Sequence, residues 1–161
     1  MRMDKLTNHL QRALADAQSL ALGKDHNFIE PVHLLAALLE QQGGSAAPLL
    51  QKAGANMAGL GAAVSAAVDA LPTVSGSSGD IAISNDLGRV LNVTDKLAQQ
   101  SGDAYISSEL VLLAMLESKT SAGEALKSHG VTPAALKTAI DEVRGGEAVN
   151  DPQAEESRQA L

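Results

Sequence analysis

Four histidines, His9, His26, His33 and His129, are the side chains best able to hold a metal or move a proton near neutral pH. His26 and His33 flank a loop, with Asp25 beside the first. Zinc needs three or four clustered ligands, usually histidine with cysteine. The chain has no cysteine and no HExxH spacing. The pattern therefore favours His26 as a solvated loop residue and His33 as a helix-surface residue. Serines are plentiful, but none sits in GxSxG, and their places before apolar runs suit helix caps. Asp141-Glu142 and Glu155-Glu156 are sequence neighbours, which point apart on a helix and read as solvated faces. No GxxxxGK[ST] phosphate loop and no GxGxxG is present, and the glycines of SGSSGD lie in a connector. The expectation is no catalytic residue, no metal-ligand set and no cofactor site in this chain.

What remains for function is a binding surface, and helices must build it. Thr7 reads as the N-cap of a helix over roughly residues 8–22, with Leu10, Ala13, Leu14, Ala17, Leu20 and Ala21 at helical spacing. Pro31 opens the next helix, VHLLAALLEQ, after the loop GKDHNFIE. SAAPLLQKA makes a short third helix, and Asn56 caps a fourth. Ser84 then caps a helix over residues 85–100, Ser107 caps ELVLLAMLES, SAGEALKSHG follows, and Thr132 caps PAALKTAIDEVR. The last residues, AEESRQAL, suit the start of another helix.

The second set copies the first. Phe28 and Tyr105 are the only aromatic residues, 77 positions apart, and each precedes isoleucine. Leu10, Arg12, Leu14, Leu20, Ala21, Ile29, Leu35, Ala37, Leu39 and Glu40 recur at that offset as Leu87, Arg89, Leu91, Leu97, Ala98, Ile106, Leu112, Ala114, Leu116 and Glu117. The expected fold is all-α: a tandem duplication of a four-helix unit, about eight helices with a pseudo-twofold. The expected organisation is a first repeat over 1–71, a connector over 72–80, a second repeat over 81–144 and a flexible linker over 145–161. The two aromatics are expected to be matched core anchors.

Composition fits. Hydrophobic residues make up 45% of the chain and aromatics 1%, so the core must be leucine, alanine, valine and isoleucine. The net charge of -7, with no basic stripe, argues against nucleic acid. No apolar run reaches membrane-spanning length, and MRMDKL lacks a signal-peptide core. A soluble, cytoplasmic protein with no membrane partner is expected.

The repeat also points to surface positions. Equivalent sites should share burial, so an aliphatic opposite a polar residue is expected on the surface. Asp16 against Val93 and His33 against Leu110 meet this test, and Leu97 lies one turn after Val93. Val93, Leu97 and Leu110 then line an exposed apolar groove, or else Val93 and Leu110 are buried against the other unit and Leu97, whose mate Leu20 is apolar, packs in the core.

The strings NFIEPVHLLAALLE and AYISSELVLLAMLES resemble the paired Clp N-terminal repeat of the Hsp100 chaperones. The opening RMDKLTNHLQRALADAQSLALGKDHNFIEPVHLL and the tail RGGEAVNDPQAEESRQAL resemble the ClpB branch in particular, and the likeness covers essentially the whole chain. It implies the substrate-recognition domain of a hexameric AAA+ disaggregase that acts with the DnaK system on unfolded or aggregated polypeptides. ATP and magnesium would belong to later modules. It places the substrate groove at Val93, Leu97 and Leu110, and puts polar positions associated with function at Thr7, Asp103 and Glu109. An adaptor-docking domain of the protease-linked ClpC or ClpA branches is the alternative it leaves open.

Overall fold

A computed structural model describes residues 2–75 and 80–159. The middle of the connector expected over 72–80 lies outside them. After a single 3-10 turn, helix α1 spans Asn8–Gly23, strand β1 Phe28–Ile29, α2 Pro31–Glu40, α3 Ala46–Lys52 and α4 Met57–Asp69. The second unit follows with β2 Ala82–Ile83, α5 Asn85–Gln100, α6 Ser108–Glu117, α7 Ser121–Ser128 and α8 Pro133–Arg144; a further helix, α9, covers Ala154–Gln159. The fold is all-α, and no described helix is long and apolar enough to cross a membrane.

The caps largely form as their chemistry requires. Thr7 accepts from Leu10 N at 3.3 Å, Ser84 from Leu87 N at 3.0 Å, Asn56 from Gly59 N at 3.2 Å and Thr132 from Ala135 N at 3.2 Å. Ser107 departs from expectation. It occupies the N-cap position of α6 without a side-chain cap bond, and its hydroxyl instead accepts from Arg144 at 3.3 Å.

Ala13, Ala17 and Ala21 let α1 lie close on the leucines of α2. The equivalent α6 is buried from Ser108 to Leu116. Gly123 lets α7 start tight against the end of α6, since a Cβ there would fall 2.5 Å from the Met115 carbonyl oxygen.

The two units join by a reciprocal exchange. Ile29 pairs in parallel with Ile83, and Leu6, the repeat-mate of Ile83, pairs in parallel with Ile106, the mate of Ile29. Ser84 N donates to Ile29 O, and Thr7 N to Ile106 O, both at 3.0 Å. This is the expected pseudo-twofold.

The aromatics are not the core anchors. Phe28 is 43% exposed and Tyr105 is half-buried, its ring 5.5 Å from Lys5 Nζ. The isoleucines after them, Ile29 and Ile106, are buried. Alternate residues of an extended segment face opposite ways, so the isoleucine turned inward sends its neighbour outward.

Candidate functional site

The α5 helix carries a charged outer face, and one of its apolar residues falls outside the core. Val93 is 41% exposed. It lies in a groove of about 480 Å³ between α5 and the α6–α7 junction. Buried Val90 and Ala114 form the floor, and the Asp86–Arg89 ion pair, Glu117 and Lys119 stand at the rim. The first unit holds a groove at the equivalent place, about 390 Å³, lined by Arg12, Asp16, Leu20, Ala37 and Glu40. The repeat maps Asp16 onto Val93 and Ala37 onto Ala114. One groove therefore has a carboxylate where the other has an isopropyl group.

Leu97 is half-buried one turn beyond Val93 and packs on the core. Leu110 does not reach the groove; it is 4% exposed, one turn before Ala114 on α6. The expectation that Leu110 stands on the surface is thus corrected. It rested on His33 being exposed, and His33 is fully buried.

His33 is buried because it is partnered. Its Nδ1 accepts from Glu30 N at 2.8 Å, and its Nε2 lies 2.8 Å from Nδ1 of His26, which is buried too. The expectation of a solvated His26 and a surface His33 is therefore also corrected. Acceptance at Nδ1 leaves the proton of neutral His33 on Nε2, which donates to Nδ1 of His26. Desolvation, then the neighbouring His26, lowers the His33 pKa to about 4. Among the described residues no cluster of three metal-ligating side chains occurs.

Thr7, Asp103 and Glu109 are all buried. Arg144 makes a fork onto Asp103, at 3.1 and 2.9 Å, and donates to Glu109 at 2.7 Å. Burial works against the guanidinium charge, but Glu109 and Asp103 outweigh it and raise the Arg144 pKa. Asp103 also accepts from Val149 N at 3.0 Å. Thr7 donates to the buried Glu155, which accepts as well from Ser45 at 2.8 Å and from Ser108 N at 3.2 Å. The segment after Arg144, expected to be a solvated linker, thus folds back onto both units.

Arg144 and Glu155 were not among the expected site residues. A signal for Arg144 exists. SAGEALKSHG matches SAAPLLQKAG after a one-residue deletion, so Arg144 falls opposite Val68, while Glu109 before the deletion falls opposite Val32. Two buried valines in one copy have become an acid and a base in the other. Glu155 has no counterpart in the repeat, and nothing in its sequence marks it.

Comparison with known proteins places this architecture. The family model described as Clp repeat (R) N-terminal domain matches residues 5–129. The chain belongs to that family. It is 56% identical over its whole length to the chaperone protein ClpB of Pseudomonas putida and 50% identical to that of Vibrio cholerae, covering 19% of each relative. It therefore spans about a fifth of those relatives' length. Among solved structures, the Hsp104 N-terminal domain from Candida albicans is similar with a TM-score of 0.83 at 26% identity, over 94% of this chain and 99% of that one. The chain is thus an N-terminal domain of the ClpB-type chaperone class.

Proposed function

We propose that this domain weakly captures exposed apolar segments of unfolded or aggregated polypeptides, with the groove around Val93 as the contact. The observation that carries the reading is Val93 itself, a 41%-exposed aliphatic over an apolar floor. Such contacts depend on buried area and not on side-chain identity, so they tolerate many sequences. Burying one valine- or leucine-sized side chain is worth about 1.5–3 kcal/mol before the costs of association. One or two such contacts give fast exchange, which suits handing a chain onward. Leu97 extends the surface along α5. Leu110, Thr7, Asp103 and Glu109 support it from within.

In the parent the captured segment would pass to an AAA+ pore driven by ATP and magnesium, in a cytoplasmic hexamer acting with DnaK. NMR titration with a permanently unfolded protein tests the reading. Shifts centred on Val93, Val90 and Ala114 are expected, and shifts centred elsewhere overturn the groove. Capture of one folded adaptor, with no affinity for unfolded chains, would support the ClpC or ClpA alternative instead.

A further inference from the structure

We propose that residues 147–156 form a releasable strap, anchored by Glu155, whose docked and undocked states set how the polypeptide beyond it leaves the domain. Five observations carry this. Glu155 is 1% exposed, and its carboxylate joins three elements: Thr7 before α1, Ser45 before α3 and Ser108 on α6. The two units are therefore tied together by a group that belongs to neither. Elsewhere the strap is held by Val149 N donating to the Asp103 carboxylate at 3.0 Å and by backbone bonds. Ala104 N and Tyr105 N donate to Val149 O at 2.8 and 3.1 Å, and Asn8 N to Pro152 O at 2.8 Å.

Apolar burial along the strap is small. Val149 is its one buried aliphatic among the described residues, and it lies outside the main core cluster. A segment with few buried apolar contacts opens at low free energy. A Gly-Gly pair precedes it, with Gly145 capping the C-terminus of α8 and both residues at positive φ, 60° and 85°. Glu156 meets Arg12 at 3.4 Å on the rim of the first groove, so the docked strap leaves along the first unit and clear of Val93.

Hydrogen exchange on the whole chain tests the strap. Glu155→Ala is expected to speed exchange at residues 8, 104, 105 and 149 by roughly tenfold or more, the scale of losing buried hydrogen bonds to a charge. Amides of α2, and of α6 beyond Ser108, whose own acceptor is Glu155, should stay within about twofold. Glu155→Gln, which keeps an acceptor, should restore part of the protection. Ser45→Ala lies outside the strap and removes one bond, so it should speed the same amides by roughly two- to fivefold. Unchanged exchange at those four residues overturns the proposal. So does uniform acceleration reaching α2 and α6, which would make Glu155 an ordinary part of the global fold.

Discussion

The two grooves share a backbone frame and differ in what sits at the centre. In the first unit Asp16 lines the groove, and Arg12 at its rim is engaged by Glu156. In the second, Val93 takes the place of Asp16, and Arg89 pairs with Asp86 on its own helix. The interiors differ in the opposite sense. Val32 and Val68 pack in the first unit where Glu109 and Arg144 pair in the second. The two copies thus share the frame, while the second has the apolar groove residue and the charged interior.

The interior contrast can be broken most sharply. Arg144→Ala leaves the Asp103 and Glu109 carboxylates buried without their counter-charge, and should cost about 3–5 kcal/mol in urea unfolding. Adding Glu109→Val to Arg144→Val restores the two valines of the first unit and leaves only Asp103 without its counter-charge, so it should recover at least about 1 kcal/mol over Arg144→Val alone. If the double variant is no more stable, the two interiors are not interchangeable solutions.

The histidine pair sharpens the same contrast through pH. Its folded state disfavours the proton on His33, so between the ordinary value of 6.5 and about 4 the unfolded chain binds more protons. The stabilisation is whole above that window and is lost as pH falls through it, by up to about 3 kcal/mol. His33→Leu, the residue at the equivalent Leu110, should flatten that part of the stability–pH curve. An unchanged slope would assign it to other groups.

For the anchors, Ile106→Ala should cost about 2–5 kcal/mol in thermal or urea unfolding, as a cavity in a closed core. Phe28→Ala should cost only about 1 kcal/mol, because nearly half of the side chain already stands in water. Equal costs would restore the aromatic to the core.

The surface contrast gives the smallest change. Val93→Asp should weaken binding of an unfolded protein roughly tenfold, with stability within about 0.5 kcal/mol of the parent. Asp16→Val should give the first groove measurable affinity. Calorimetric or NMR titration reads both. Equal binding by all three proteins would separate the grooves from recognition.

Much of this was legible beforehand. Helical spacing, caps such as Thr7 and Ser84, and the repeat offset specified an all-α duplication, since local periodicity and capping act over a few residues. Comparing copies found Val93, because the position opposite it, Asp16, is polar and solvated. The same comparison misplaced Leu110, because His33 is polar but paired. A polar residue is a guide to exposure only when no partner satisfies it inside. The aromatic pair misled for a related reason, as size alone does not choose which of two adjacent side chains faces in.

By itself, then, the sequence determined the helices, their order, the duplication and the family, all of which rest on local pattern and on similarity along the chain. Tertiary structure alone decided which polar groups find partners: His26 with His33, Arg144 with Asp103 and Glu109, and Glu155 with Thr7, Ser45 and Ser108. Burial of a polar group depends on a second group brought to it from far along the chain. For Glu155 that partner, Thr7, lies 148 residues away.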